Sequence, residues 1–373
     1  MRLWFNRIRR GFNRSPLELY YRLIQELRAS FDRFRVSPIN KISDTDFVKL
    51  FGAETIEGLW SQLAMRPYVT DDLSLDKKSL DLIAPGEFKR IINLADAALE
   101  WEIDLLGSGP TILSRPVSWS TDFKVDLDWP VIFFRDIDIL NMDRRSDVKV
   151  PWELSRLQWL IPVGQAYRLT ENEKYSDFCC EVLMDWIQSN PYGRGVNWAI
   201  AMEPAMRIFV WTWLFQVFKG ASGWSNPVFK LSFLRCLYEH GVFVERYIED
   251  YGINGNHCTA DAGGLVFAGL FFGSAARPQK WQEQGWKLLL KEMPRQVLTD
   301  GVDFEGSTSY HRFACELFFW PAKFRQVLNK EIPEYYINRL LLMADFIESY
   351  TKPNGLTPLW GDADDGRVLP FGG

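Results

Sequence analysis

Asn254-Gly255-Asn256-His257 and Asp303-Phe304-Glu305-Gly306-Ser307-Thr308-Ser309-Tyr310-His311 bracket the stretch of sequence that decides the fold. Between them run an apolar segment, Ala262 to Ala276, and a more amphipathic one, Trp281 to Leu298, each long enough to be a helix. Two polar corners separated by two helices can meet at one end of an antiparallel pair. Two of the three histidines, His257 and His311, stand at these corners, each beside a residue able to bind or move a proton, Asn256 and Tyr310. Chemistry is expected there.

Outward from this stretch the pattern is helix after helix. Trp152 to Leu169, Glu173 to Gln188, Trp198 to Phe218 and Pro227 to Asp250 precede it, and Ser309 to Leu328 and Pro333 to Tyr350 follow. The helices recur at about 40 residues per pair, joined by turns rich in Gly, Pro and Asn, which predicts stacked antiparallel hairpins. The fold class is therefore mainly α, an incomplete α/α toroid whose inner helices are apolar on most sides and whose turns line a cleft. Trp198 to Phe218 and Ala262 to Ala276 have that inner character. Asp44 to Phe51, Glu54 to Met65 and Glu87 to Trp101 read as further helices. Residues 102 to 150 hold Gly107, Gly109, Pro110, Pro116 and Pro130 with short runs such as Val131-Ile132-Phe133-Phe134, and read as loop with a few short strands. Residues 1–41 form a basic amphipathic lead and 42–373 the toroid body.

Composition narrows the function. With 47% hydrophobic and 24% charged residues in 373, the chain is globular and can bury a large core. Its 16 Trp, 13 Tyr and 27 Phe suit a thick helical core or a carbohydrate cleft, and core packing accounts for most of these rings. A net charge of −5 leaves no basic footprint for nucleic acid. Five scattered cysteines, an odd number without metal spacing, give no disulfide framework. Met1 to Phe34 carries Arg2, Arg7, Arg9, Arg10 and Arg14 but not the apolar run of a signal peptide, so no export signal is read and the cytoplasm is the expected compartment. The most apolar window, Ala262 to Ala276, is shorter than the roughly 20 residues that span a bilayer. The lead places Leu17, Tyr20, Tyr21, Leu23, Ile24 and Leu27 at near-helical spacing after Ser15-Pro16. It reads first as a solvated helix on the body, and second as a peripheral contact to an anionic membrane.

Several polar groups fall at turns or inside apolar helices, where burial without partners is costly. Glu203 and Arg207 lie four apart in an aromatic-rich helix, in the order that favours an ion pair. Asn197 and Trp198 precede that helix at a cleft mouth. Asn256 and His257 come just before a helix whose N-terminal end favours a bound anion; a cap residue and a core histidine are the plainer readings. Tyr310 and His311 sit in a first turn after the cap candidates Ser307, Thr308 and Ser309, and neighbouring Arg312 can make the phenol proton more labile. Gly361-Asp362-Ala363-Asp364-Asp365-Gly366-Arg367 is an acidic turn ordered by Arg367, without the ligand spacing of a calcium-binding loop.

Taken together, Trp152 to Trp159, Asn190 to Trp198, Glu203-Pro204-Ala205-Met206-Arg207, Gly255-Asn256-His257, Asp300 to His311 and the Gly361 to Arg367 turn resemble the heparinase II/III-like polysaccharide lyases. The resemblance runs from about residue 100 to 367 in motif order. It implies a toroid that acts on uronic-acid polysaccharides, followed in full-length members by a C-terminal β-sandwich that is expected to be absent here. Lyases of this kind remove the C5 proton beside a uronate carboxylate and expel the C4 oxygen, which requires neutralising the carboxylate as an enolate-like anion develops. By resemblance the catalytic set is Asn256 and His257 as neutralisers and Tyr310 as acid and base, supported by His311. Asn197, Trp198, Glu203, Arg207, Asp303, Glu305, Arg312 and Arg367 are the expected substrate-binding set. No metal or cofactor is implied. Family context adds a periplasmic option and a link to bacterial exopolysaccharide. Two other readings stand beside it: a glycan-binding module without turnover, and a hydrolase using carboxylates such as Asp303 and Glu305.

Overall fold

The computed structural model describes residues 16–33, 41–71, 77–141, 143–252, 254–363 and 366–372. The first described helix is α1, Pro16–Asp32. Then come α2, Asp44–Lys49, started by the Ser43 side chain accepting from the Asp46 N–H, and α3, Ile56–Ala64, capped in the same way by Thr55. They are followed by α4, Lys77–Ile83, and α5, Glu87–Leu99. The region expected to hold loops and short strands contains two antiparallel ribbons, β1 (Glu102–Asp104) with β2 (Pro110–Ile112) and β3 (Thr121–Asp122) with β4 (Leu127–Asp128). The apolar run Val131 to Phe134 is not a strand. Its Phe133 makes a single bridge to Arg194 before a short 3₁₀ turn over Phe134–Asp136.

From residue 149 the hairpins begin. They comprise α6 (Lys149–Arg156), α7 (Ile161–Thr170), α8 (Glu173–Ser189), α9 (Met202–Phe218), α10 (Pro227–Tyr247), α11 (Asn256–Phe272), α12 (Ala276–Gln296), α13 (Thr308–Val327) and α14 (Glu334–Tyr350). One expected helix, Trp152 to Leu169, is two. Leu157 adopts a left-handed φ of 60°, which ends α6 and turns the chain before α7.

Helices α7, α9, α11 and α13 lie side by side as an inner layer, each paired with the helix that follows it. Because each inner helix is reached by a return through an outer one, the four run in the same sense and their N-terminal ends share one rim. The inner character read from sequence holds: α9 is buried from Met202 through Phe215, and α11 from Cys258 through Phe272. Glycine lets these layers close. A Cβ on Gly269 would stand 2.5 Å from Pro278 O and Gln282 N of α12, and one on Gly264 would stand 2.8 Å from Ala205 Cβ of α9. The C-terminal segment then ties the first inner helix to the last. Gln165 of α7 donates to Phe371 O at 2.9 Å, Val368 N–H donates to Glu316 of α13 at 2.7 Å, and the Phe371 ring packs on Trp213 and Trp320. All five cysteines are free thiols. No helix among the described residues is long and apolar enough to cross a membrane.

Candidate active site

The shared rim holds a pocket of about 100 Å³. Its polar walls are Lys149, Glu153 and Arg156 of α6, Glu203 of α9, Asn256 and His257 of α11, and Tyr310 of α13, with Gly366 at the edge. The two corners of the deciding stretch therefore meet, through the turn before α11 and the turn before α13. Three helix N-termini converge on this space, and their macrodipoles favour an anion there.

Asn256 is held by Glu305. One carboxylate oxygen accepts the Asn256 backbone N–H at 2.8 Å and the other accepts its side-chain amide at 2.8 Å. A single carboxylate thus fixes both the start of α11 and the rotamer of the amide, leaving one amide N–H for a ligand. Gly255 is what allows the grip, since a Cβ there would come within 2.8 Å of the same carboxylate. His257, with 47% of its side chain exposed, faces Glu249 with Nδ1 at 3.3 Å from a carboxylate oxygen. Loss of hydration pulls the imidazole pKa down, but the Glu249 charge and, behind it, Glu203 outweigh this and leave it above the ordinary histidine value. Glu249 is held in turn by its own N–H, which donates to Asp261 at 2.8 Å.

Tyr310 is placed by Ser307, whose hydroxyl accepts the Tyr310 N–H at 3.2 Å as the cap of α13 and itself donates to Asp362 O. The Tyr310 hydroxyl donates to the Asp362 carboxylate at 3.2 Å. The acidic turn therefore contributes a partner for the phenol. Among the described residues, Arg367 Nε donates to Glu316 at 2.5 Å and anchors the C-terminal segment to α13. Asp364 and Asp365 lie outside the described residues.

Of the other expected site residues, Glu203 lines the pocket and the rest sit elsewhere. The Glu203–Arg207 ion pair is not formed. Glu203, fully buried, takes a two-pronged pair from Arg156 at 3.0 and 2.8 Å, and Arg156 also binds Glu153. Arg207 donates to His240 Nε2 at 2.7 Å and to Asn197 O at 2.8 Å, with its guanidinium over the rings of Trp186 and Trp198. Burial pushes this guanidinium down to about 9. Asn197 and Trp198 are buried with it, Asn197 donating to Trp119 O and Asn190, and Trp198 to Asn190 O. His311 is buried too: its Nδ1 accepts the Asp303 N–H at 3.1 Å, and its Nε2 meets Met343 O at 3.1 Å. Both ring nitrogens are occupied away from the pocket. Arg312 lies toward Tyr350, whose phenol feels its charge. Asp303 is 2% exposed, and burial raises its carboxyl to about 7. Arg156, Glu249 and Asp362 were not singled out from sequence. Arg156 and Asp362 lie within motifs that carried the resemblance, whereas nothing local marks Glu249. Among the described residues, no group of three His, Cys, Asp or Glu side chains is placed to hold a metal ion.

An arc of helical hairpins with an anion-favouring pocket at the N-terminal ends of its inner helices defines an α/α-toroid protein. The family follows from a direct match: the profile described as Heparinase II/III N-terminus covers residues 118–369, and the chain belongs to that family. A heparin-sulfate lyase of Pedobacter heparinus is 28% identical over 301 residues, covering 78% of this chain and 41% of that protein. One of Bacteroides thetaiotaomicron is 28% identical over 207 residues, covering 54% of this chain and 29% of that protein. Among solved structures, heparinase III superposes with a TM-score of 0.61 at 21% identity over 87% of this chain and 48% of that one. Heparan sulfate lyase from Pedobacter heparinus gives 0.57 at 22% identity, over 81% and 44%. These likenesses establish the toroid fold. The chain spans less than half the length of the relatives it matches.

Proposed function

We propose that the pocket binds a uronate of an acidic polysaccharide and that the protein cleaves the chain there by β-elimination. The carrying observation is that Asn256, His257 and Tyr310 line one pocket at the positive ends of inner helices. The heparin-sulfate lyases among its relatives support the choice of substrate class.

The chemistry assigns each group a task. The uronate carboxylate sits at the helix N-termini, where the free amide N–H of Asn256 and a protonated His257 stabilise the charge that builds as C5 loses its proton. Tyr310 moves that proton. Its hydroxyl first passes its proton to the Asp362 carboxylate it faces. The phenolate oxygen then takes the C5 proton and gives it to the C4 oxygen as the C4–O bond breaks and the C4–C5 double bond forms, and Asp362 returns the first proton as product leaves. Asp362 holds the hydroxyl on the pocket side between turnovers. Neither Asp303 nor Glu305 lines the pocket, and Glu305 is occupied with Asn256, which weighs against the hydrolase reading.

Incubation with a panel of uronic-acid polymers tests this, read as the rise in ultraviolet absorbance of the unsaturated uronate. The expected rise falls about 10²- to 10⁴-fold in Tyr310→Phe, with the melting temperature unchanged. Because His257 acts protonated and its pKa lies above the ordinary histidine value, activity is expected to fall as pH rises, with a midpoint above that of a free histidine. Binding without any absorbance rise would assign the chain to the glycan-binding reading.

A further inference from the structure

Helix α1 is docked with the wrong face outward for a helix that only packs on a body. Its polar side makes the contacts: Gln25 donates to Ile248 O at 2.8 Å, Arg28 to Arg246 O at 3.4 Å, and Arg246 pairs with Asp32 at 2.7 Å. Tyr251 closes on Gln25 at 2.7 Å, and Arg135 donates to it at 3.1 Å. Among its described side chains, Ala29 is the apolar one that joins the main core.

The opposite side is a solvent-facing apolar stripe. Leu19, Leu23, Leu27 and Phe31 follow one another at helical i, i+4 spacing with Tyr20 beside them, and they are 44%, 60%, 53%, 69% and 58% exposed respectively. Exposed leucines scattered singly need no explanation, but a continuous stripe along a helix does. Charge names the partner. Residues 1–35 carry nine Arg against three acidic residues, in a chain whose totals are 43 basic and 48 acidic. Five of those arginines, Arg2, Arg7, Arg9, Arg10 and Arg14, precede α1 and alternate with Leu3, Trp4, Phe5, Ile8 and Phe12. An apolar stripe beside a basic, aromatic-rich segment is the composition that seats a helix in the headgroup layer of an anionic bilayer, and the acidic body is repelled from the same surface and kept facing away.

We infer that α1 is a peripheral docking surface for an anionic lipid membrane, with the stripe Leu19, Leu23, Leu27 and Phe31 entering the lipid boundary and the arginine charge of the N-terminal sequence drawing it there. The polar contacts with α10 then fix the toroid relative to the membrane.

Co-sedimentation of the full chain with vesicles tests this. On phosphatidylcholine carrying about a third phosphatidylglycerol, binding is expected at low salt, weaker binding at high salt, and none on phosphatidylcholine alone. Leu23→Glu combined with Leu27→Glu is expected to weaken binding at least about tenfold. Arg9→Gln combined with Arg10→Gln should weaken it roughly tenfold to thirtyfold. Both pairs should leave the melting temperature unchanged, since the leucines are exposed. Absence of binding to the anionic vesicles, equal binding to both lipids, or indifference to the leucine pair would each overturn the proposal. So would a dimer in solution that the leucine pair dissolves without any vesicle binding, which would give the stripe to a second copy of the chain.

Discussion

Glu203 and Arg207 stand one turn apart on α9, and both are fully buried. Glu203 reaches the rim and is a wall of the pocket, its charge met by Arg156. Arg207 points inward, into a cage of Trp186, Trp198 and His240 with no opening to the pocket. The difference is one helical turn of depth. It teaches that a charge inside an apolar helix becomes a site residue only where the helix end opens to ligand. A turn further in, the same need for a partner makes it a tie between layers.

That contrast can be broken at either member. Glu203→Ala removes the two-pronged carboxylate that meets buried Arg156, and should cost about 3 kcal/mol in urea unfolding while also lowering lyase turnover. Loss of turnover with stability intact would contradict its double role. Arg207→Met strands His240 Nε2 and Asn197 O but opens no charge to the pocket. A loss of about 1–3 kcal/mol is expected, with kcat/KM within about twofold of the parent. An Arg207→Met protein that stays fully folded yet inactive would move Arg207 into the site.

Asp303 sharpens the comparison with the smallest effect. One carboxylate oxygen accepts the Glu305 N–H, and the other has no partner. Its carboxyl is raised to about 7, so the folded protein holds a proton there that the unfolded chain gives up near pH 4. Stability from this group is full below the unfolded value and is lost as pH rises to about 7. Asp303→Asn, neutral throughout, should therefore raise stability at pH 8 and change it little at pH 4, measured by thermal melting. A gain that is the same at both pH values would mean that ionisation of Asp303 is not the cause.

Much of this was legible in the sequence. Period and apolarity located α9 and α11 as inner helices, and the two polar corners of the Asn254 to His311 stretch do supply Asn256, His257 and Tyr310 to one pocket. Partner choice was not legible. Spacing alone put Glu203 with Arg207, but the competing Arg156 comes from α6, far along the chain and delivered by the left-handed turn at Leu157. Tyr310 and His311 are adjacent in sequence but, about 100° apart on the helix, point to different faces, one into the pocket and one into the core. Composition marked both as candidates, and only the direction of α13 separates them. Glu305 read as a substrate ligand because a carboxylate near a histidine and a tyrosine is chemically plausible there. Its distance to Asn256 makes it the residue that sets the amide.

The measurement that bears most directly on the central claim is mass spectrometry of the products released from a uronic-acid polymer in heavy-oxygen water. β-Elimination at the Asn256–Tyr310 pocket predicts an unsaturated product lighter by one water than the hydrolysis product, free of the label, and lost in Tyr310→Phe. Label built into a saturated product, or cleavage undiminished by Tyr310→Phe, would contradict it.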